Sequence, residues 1–182
     1  MGEPTRLYVD KDIILKEIGL DDVEAVFNTI DAERAYLTEW LPFVELTRDI
    51  SFTRKFVENY ENAEIKDLTC AIYYQHQFVG LVGLKDNDFD NMKTEIGYWL
   101  SELFQHKGII TRSCRALIDY AFSELKMNRI QLKAATGNLK SQAVAERLGF
   151  TREGIERDGE LHSRGFVDLV VFGLLRKDWT TE

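Results

Sequence analysis

The sequence predicts an α+β fold on three observations: helical periodicity comes first, β-rich runs joined by short turns follow, and two helices fall late among the strands. That order argues against a doubly wound sheet, in which strands and helices alternate throughout. No repeat, low-complexity tract or Pro/Gly-rich linker interrupts the chain, and its two prolines, Pro4 and Pro42, mark no boundary. One domain over residues 1–182 is expected, large enough to bury about 70% of its unfolded surface.

Val23, Val26, Phe27 and Ile30 recur at i, i+3, i+4 and i+7 behind a capping residue at Asp21 or Asp22, which places a first helix. A second is expected from Ser51 to Ala63, with Phe52, Phe56 and Tyr60 read as core contacts. Leu68 to Tyr74 and Phe78 to Leu84 are β-rich runs that Gln75-His76-Gln77 closes into a hairpin, and Asp86 to Asn91 makes the next turn. Thr94 to Leu100 supplies another strand. The apolar stripe Ile110, Cys114, Leu117, Ile118, Ala121 and Leu125 then marks the best helix in the chain. Ile130, Leu132 and Ala134 alternate as a buried strand, and Ser141 to Leu148 forms a short helix closed by a left-handed Gly149. Thr151 to Arg157 and Phe166 to Arg176 return as strands, connected through Asp158-Gly159 or a longer loop.

The composition is that of an ordinary globular protein, 45% hydrophobic and 30% charged. A net charge of -8 argues against a phosphate-neutralising face and so against direct nucleic-acid binding; it suits a basic partner or simple solubility. Cys70 and Cys114 lie in apolar patterns without CxxC or Cys/His spacing, so both read as buried thiols of a reducing compartment. No signal-peptide pattern and no membrane-length apolar run is present, which makes the cytoplasm the expected location and a membrane partner unexpected. His76, His106 and His162 lack ligand spacing, and Asp86, Asp88 and Asp90 lack the Gly and Glu of a calcium loop, so no metal is expected.

Gln105-His106-Lys107-Gly108-Ile109-Ile110-Thr111 opens a helix directly after a strand. The unpaired amides and positive dipole of a first helical turn favour a phosphate, and Gly108 permits close approach. Alone, a glycine at a helix start is weak evidence. Downstream stand Asn138-Leu139-Lys140-Ser141 and Ala145-Glu146-Arg147-Leu148-Gly149-Phe150. In this order the segments resemble the GNAT superfamily of acetyl-CoA-dependent N-acyltransferases, from about Phe78 to Leu175. Trp40-Leu41-Pro42-Phe43, with Gly154, Arg157, Gly165 and Asp168, are similar within it to the Rim-type ribosomal-protein N-acetyltransferases.

The resemblance implies a mixed, mostly antiparallel sheet splayed open beside Thr94 to Leu100, with acetyl-CoA as cosubstrate along that strand. Tyr98 and Leu100 would line its pantetheine arm, and Gln105, His106, Lys107, Gly108, Ile109, Ile110 and Thr111 would surround its pyrophosphate. Gln105 brings no charge, which leaves Lys107 as the main cation, although it reads equally as a solvated lysine. Ile110 stands where the family has Gly or Ala. Asn138 would offer its amide to the cofactor or complete a turn. Ser141, at the N-cap of the short helix, would cap it, protonate the departing thiolate, or both. Glu160, in the loop between the final strands, would be the base, its alternative being an exposed turn residue; His162 reads as an auxiliary base or a surface histidine. Glu39 and Trp40 would help form the acceptor cleft, against a core role for the indole.

The implied reaction is acetylation of the α-amine of a basic ribosomal protein by direct attack in a ternary complex. A small amine such as a polyamine or an aminoglycoside, or a non-catalytic CoA-binding module, remain the alternatives. If the terminal strand Val167 to Leu175 lies at an edge, it could pair with another chain and form a homo-oligomer.

Overall fold

A computed structural model describes residues 4–63 and 67–180. Its centre is an eight-stranded sheet in the order β1-β2-β3-β4-β5-β6-β8-β7. The strands are β1 Arg6–Tyr8, β2 Ile13–Glu17, β3 Leu68–Tyr74, β4 Gln77–Asp88, β5 Lys93–Leu100, β6 Arg129–Ala135, β7 Thr151–His162 and β8 Gly165–Leu175. The helices are α1 Val23–Ala32, the single turn α2 Arg34–Leu37, α3 Ile50–Glu61, α4 Ile109–Ser123 and α5 Leu139–Arg147. Every neighbouring pair is antiparallel except β5 with β6. A parallel pair needs a long crossover, and α4 supplies it.

The two faces of the sheet carry separate apolar clusters. One joins Val82, Leu84, Ile96, Ile130, Leu132, Val170 and Phe172 to Cys114, Leu117, Ile118 and Ala121 of α4. The other joins Ala71, Leu81 and Trp99 to Val23, Val26 and Ile30 of α1 and Val57 and Tyr60 of α3. Both thiols are free and buried, and burial pushes Cys70 up to about 12. Among the described residues no helix is long and apolar enough to cross a membrane.

The local readings meet the structure with a few displacements. The β3–β4 hairpin turns on Gln75 and His76, both with positive φ, so that Tyr74 pairs with Gln77. β4 runs on to Asp88, three residues into the stretch read as a turn. In α3 the core side is Thr53, Val57 and Tyr60, whereas Phe52 and Phe56 stand 40% and 43% exposed. Two of the three aromatics read as core are therefore outside it, because the buried stripe runs one residue out of phase with Phe52 and Phe56. β8 lies between β6 and β7, so it offers no free edge to another chain; the edges are β1 and β7.

Strand approach is closest where a glycine permits it. A Cβ on Gly80 would stand 2.2 Å from the carbonyl oxygen of Trp99 across the β4–β5 pair. Gly80→Ala is expected to lower stability by about 1–3 kcal/mol, the usual penalty for overpacking, read as an earlier urea midpoint with an unchanged slope. A second expectation concerns the β7 edge, where Arg129 and Glu153 form a bidentate pair across Gly173. Hydrogen bonding to Arg129 holds the Glu153 carboxyl below its ordinary 4.5. A depressed carboxylate stabilises the fold above its ordinary pKa, and this contribution is lost as pH falls through the depressed value. Glu153→Gln should flatten the acid limb of a stability curve below about pH 4.5 and change little at neutral pH, since exposed pairs contribute about 0–1 kcal/mol.

Candidate active site

β5 keeps β6 for only three positions, Lys93↔Arg129, Thr94↔Ile130 and Glu95↔Gln131. Beyond them β5 stays with β4 as far as Leu100↔Gly80, while β6 continues against β8 as far as Ala135↔Leu169. The backbone edge of β5 from residue 96 to 100 is left without a strand partner, ready to accept an extended ligand with amide groups. Between the parted strands lies a cleft of about 1320 Å³ that reaches from the start of α4 to Glu160. Tyr98 and Leu100 line it from β5.

At one end the cleft meets the loop before α4. Glu33 braces the turn after β5 by accepting from the Ser101 hydroxyl at 2.5 Å and the Glu102 N–H at 2.8 Å. His106 and Gly108 then take positive φ of 62° and 68°. That left-handed step delays the helix to Ile109, four residues later than the sequence stretch suggested. The first-turn amides of Ile109, Ile110 and Thr111 consequently have no carbonyl one turn earlier and carry the positive dipole end. The Ile110 side chain packs into the core on the α4 side while the residue also borders the cleft.

The cations at this end differ from the expected one. Lys107 is not on the cleft wall: its ammonium sits 5.0 Å and 5.5 Å from the ring centres of Phe104 and Tyr74. Arg147 and Lys140 line the cleft instead, Arg147 donating to the Thr111 hydroxyl at 3.0 Å and Lys140 to the Gln105 side-chain oxygen at 2.8 Å. Their spacing of seven along α5 puts them on one face, a signal present in the sequence. The direction that face points was not. Gln105 also donates to the Tyr36 phenol, so a chain from α5 through the loop to α2 crosses the mouth of the cleft.

Midway along the cleft stands the β6–α5 turn. Asn138, not Ser141, is the N-cap of α5, its side-chain oxygen accepting the Ser141 N–H at 3.1 Å. Ser141 lies in the first turn, and its hydroxyl is 2.9 Å from that of Tyr98. Burial pushes the Tyr98 phenol above its ordinary range, so it stays protonated and able to donate to Ser141.

Glu160 reaches the cleft by way of a bulge. β7 pairs Glu156↔Leu169 and next Glu160↔Val167, so that residues 157–159 oppose Asp168 alone. Asp158 takes φ 51° and donates its N–H to the Asp168 carboxylate at 2.9 Å. Gly159 follows because a Cβ there would stand 3.0 Å from the Leu169 side chain. Asp158-Gly159 is thus a bulge inside β7 rather than the turn between the last strands, and Glu160 sits on a strand rather than in a loop. Its carboxylate is 44% exposed and lies 2.7 Å from Nε2 of His162, whose side chain is only 8% exposed and not the surface histidine expected.

Opposite the α4 side, Trp40, Phe43, Phe52 and Phe56 line the cleft. The indole reaches Gly137 in the β6–α5 turn, lying 3.7 Å from the position of a Cβ there. Glu39 is exposed and does not line the cleft. On the cleft floor Lys85 meets Glu95 at 2.9 Å, Gln131 donates to Glu95 at 3.2 Å, and Lys133 meets Glu156 at 2.7 Å. These cross-strand partners escaped the sequence reading because only the register brings them together. Among the described residues no group of His, Cys, Asp or Glu is placed to hold a metal ion.

Residues 12–151 match the family described as the acetyltransferase (GNAT) domain. The chain belongs to that GNAT family. It is 36% identical to the "Putative ribosomal N-acetyltransferase YdaF" of Bacillus subtilis (strain 168), over 96% of this chain and 97% of that protein. The ribosomal-protein-serine acetyltransferase of Escherichia coli (strain K12) is 25% identical over 91% of this chain and 94% of its own length. Among solved structures, the microcin C7 self-immunity acetyltransferase MccE in complex with acetyl-CoA and AMP superposes with a TM-score of 0.87. It is 28% identical and covers 93% of this chain and 95% of that one. The chain is therefore a GNAT N-acetyltransferase, and the splayed sheet is that family's fold.

Arg147→Ala in this GNAT enzyme should weaken coenzyme A binding by about 1.5–3 kcal/mol, roughly tenfold to a hundredfold, as expected for a lost charge-assisted hydrogen bond. Lys107→Ala should change it far less. Calorimetric titration with coenzyme A compares the two.

Proposed function

We propose that this enzyme transfers acetyl from acetyl-CoA to the α-amine of a protein N-terminus, belonging to a basic ribosomal protein, by direct attack in a ternary complex. One observation carries the reading: a single cleft connects the open amides of α4, the unpaired edge of β5, the Ser141 hydroxyl and the Glu160 carboxylate. The first-turn amides of Ile109, Ile110 and Thr111, with Arg147 and Lys140, fit a diphosphate. The β5 edge at Tyr98 and Leu100, with Asn138 across the gap, fits an amide-bearing arm. Bound there, acetyl-CoA supplies an activated acyl group on a good leaving thiolate.

The protein's own part is proton handling and placement. An amine attacks only when uncharged. An α-amine with a pKa of about 7.7–8.0 is roughly a tenth neutral at pH 7, whereas a lysine near 10.4 is under about a thousandth neutral. Glu160 accepts the proton, directly or through one water, and holds the cationic terminus beforehand. Ser141 donates toward the departing sulfur, and the Tyr98 hydroxyl, 2.9 Å from it, stands behind it as a protonated neighbour. Direct attack is further supported by the cysteines: Cys70 and Cys114 are buried, and burial raises both thiols above their ordinary range, so neither is poised to carry an acyl group.

The choice of acceptor rests on the 36% identical relative, whose name gives a ribosomal N-acetyltransferase, and on the net charge of -8, which favours a basic partner. Thiol release should be dependent on a free N-terminus. Glu160→Gln should lower kcat by about 10²–10⁴-fold with coenzyme A affinity retained, and Ser141→Ala by less, since the thiolate leaves readily. A mass-spectrometric survey of acetylated N-termini after overexpression checks the acceptor. Acetylation confined to small amines would refute the ribosomal assignment.

A further inference from the structure

Four aromatic side chains of the acceptor half stay uncovered although the core lies beside them. Phe43, Phe52 and Phe56 are 37%, 40% and 43% exposed, and with the half-buried Trp40 they line the cleft on the side away from α4. They come from separate segments, Phe52 and Phe56 one turn apart on α3 and Trp40 and Phe43 from the chain between α2 and α3. Convergence of such rings on a reaction cleft leaves apolar surface that a ligand bound in the cleft would cover. Thr53 lies between Phe52 and Phe56 in sequence. It also lines this wall, and its buried hydroxyl has no hydrogen-bond partner.

The charges of the floor are largely paired with one another. Glu95 is held by Lys85 and Gln131, and Lys133 lies 4.0 Å from Glu95 and 2.7 Å from Glu156. These groups satisfy one another and offer no free carboxylate to a second cation. Lys85 and Lys133 would also repel one. Glu160 lies outside that set, 2.7 Å from His162 and within electrostatic reach of Lys85. The cleft thus presents the Glu160 carboxylate beside an aromatic wall, with the exposed Asp86 also on its lining.

From this we infer, resting on the proposed N-terminal acetylation, that the enzyme selects acceptors by a bulky apolar side chain within the first two residues. That side chain seats against Trp40, Phe43, Phe52 and Phe56 while the α-amine lies at Glu160. A basic ribosomal protein meets the requirement when one of its first two residues is bulky and apolar.

The test uses the full-length enzyme, acetyl-CoA and short peptides with a free α-amine, carrying Phe, Leu, Ser or Lys at position one or two, with spermidine as a further acceptor. Thiol release should give kcat/KM at least about tenfold higher for the Phe and Leu peptides than for the Lys peptides at one of the two positions, with the difference mainly in KM. Phe56→Ala should bring that ratio close to one, with coenzyme A affinity and thermal midpoint as controls for folding. Should that variant fail to fold, Phe52→Ala, at another exposed position of the same wall, should still lower the ratio of the Phe and Leu peptides to the Lys peptides. Peptides acetylated without regard to these positions, or with Lys preferred, would overturn the inference and leave N-terminal acetylation standing. Spermidine acetylated and every peptide refused would overturn both.

Discussion

The parting of β5 from β6 is the constraint on which the rest of the site depends. Each strand is secured on its outer side by an antiparallel partner, β5 by β4 and β6 by β8, so the two can diverge with loss of hydrogen bonds along one edge only. The unpaired groups then need another partner, which an extended amide-bearing ligand provides. Because the pair is parallel, the connection must cross over, and the crossover helix α4 begins at the mouth of the gap. One topological fact therefore sets an unpaired edge and a positive helix end side by side.

The cleft has two chemically distinct halves. Toward α4 and α5 it carries backbone amides, Arg147 and Lys140, suited to an anion. Toward α1 and α3 it carries aromatic rings, a mutually satisfied set of charges, and Glu160. Tyr98 and Ser141 meet between them. The chain Lys140–Gln105–Tyr36 and the packing of Trp40 on Gly137 tie the halves together across the opening. Glu160 owes its place to the bulge at residues 157–159, which Asp168 braces and Gly159 makes room for.

Much of the fold was legible because its signals are local. The stripe from Ile110 to Ala121 marked α4, and Ile130, Leu132 and Ala134 marked β6 as a buried strand. Gly149 takes the left-handed φ that a helix end asks for. The residues that the resemblance marked also come together in space: Tyr98, Leu100, Gly108, Asn138, Ser141, Glu160 and Trp40 all line one cleft. Errors arose where a local signal had two meanings. Asp-Gly serves a bulge as well as a hairpin, and an aromatic at helical spacing faces either a core or a cleft, as Phe52 and Phe56 do. Lys107 was the nearest cation along the chain, but two rings draw it off the cleft and α5 brings Arg147 in.

By itself the sequence determined the α+β order of elements, the amphipathic faces of the main helices and the glycine that opens α4, because these rest on φ preferences and on periodicities within a few residues. Tertiary structure alone decided that β8 is interior and β7 an edge, that Asn138 rather than Ser141 caps α5, and that Lys85 stands against Glu95. Strand order, register and the aim of a side chain into a gap depend on contacts between residues far apart in the chain. Such contacts form only once burial of both sheet faces fixes one pairing among many.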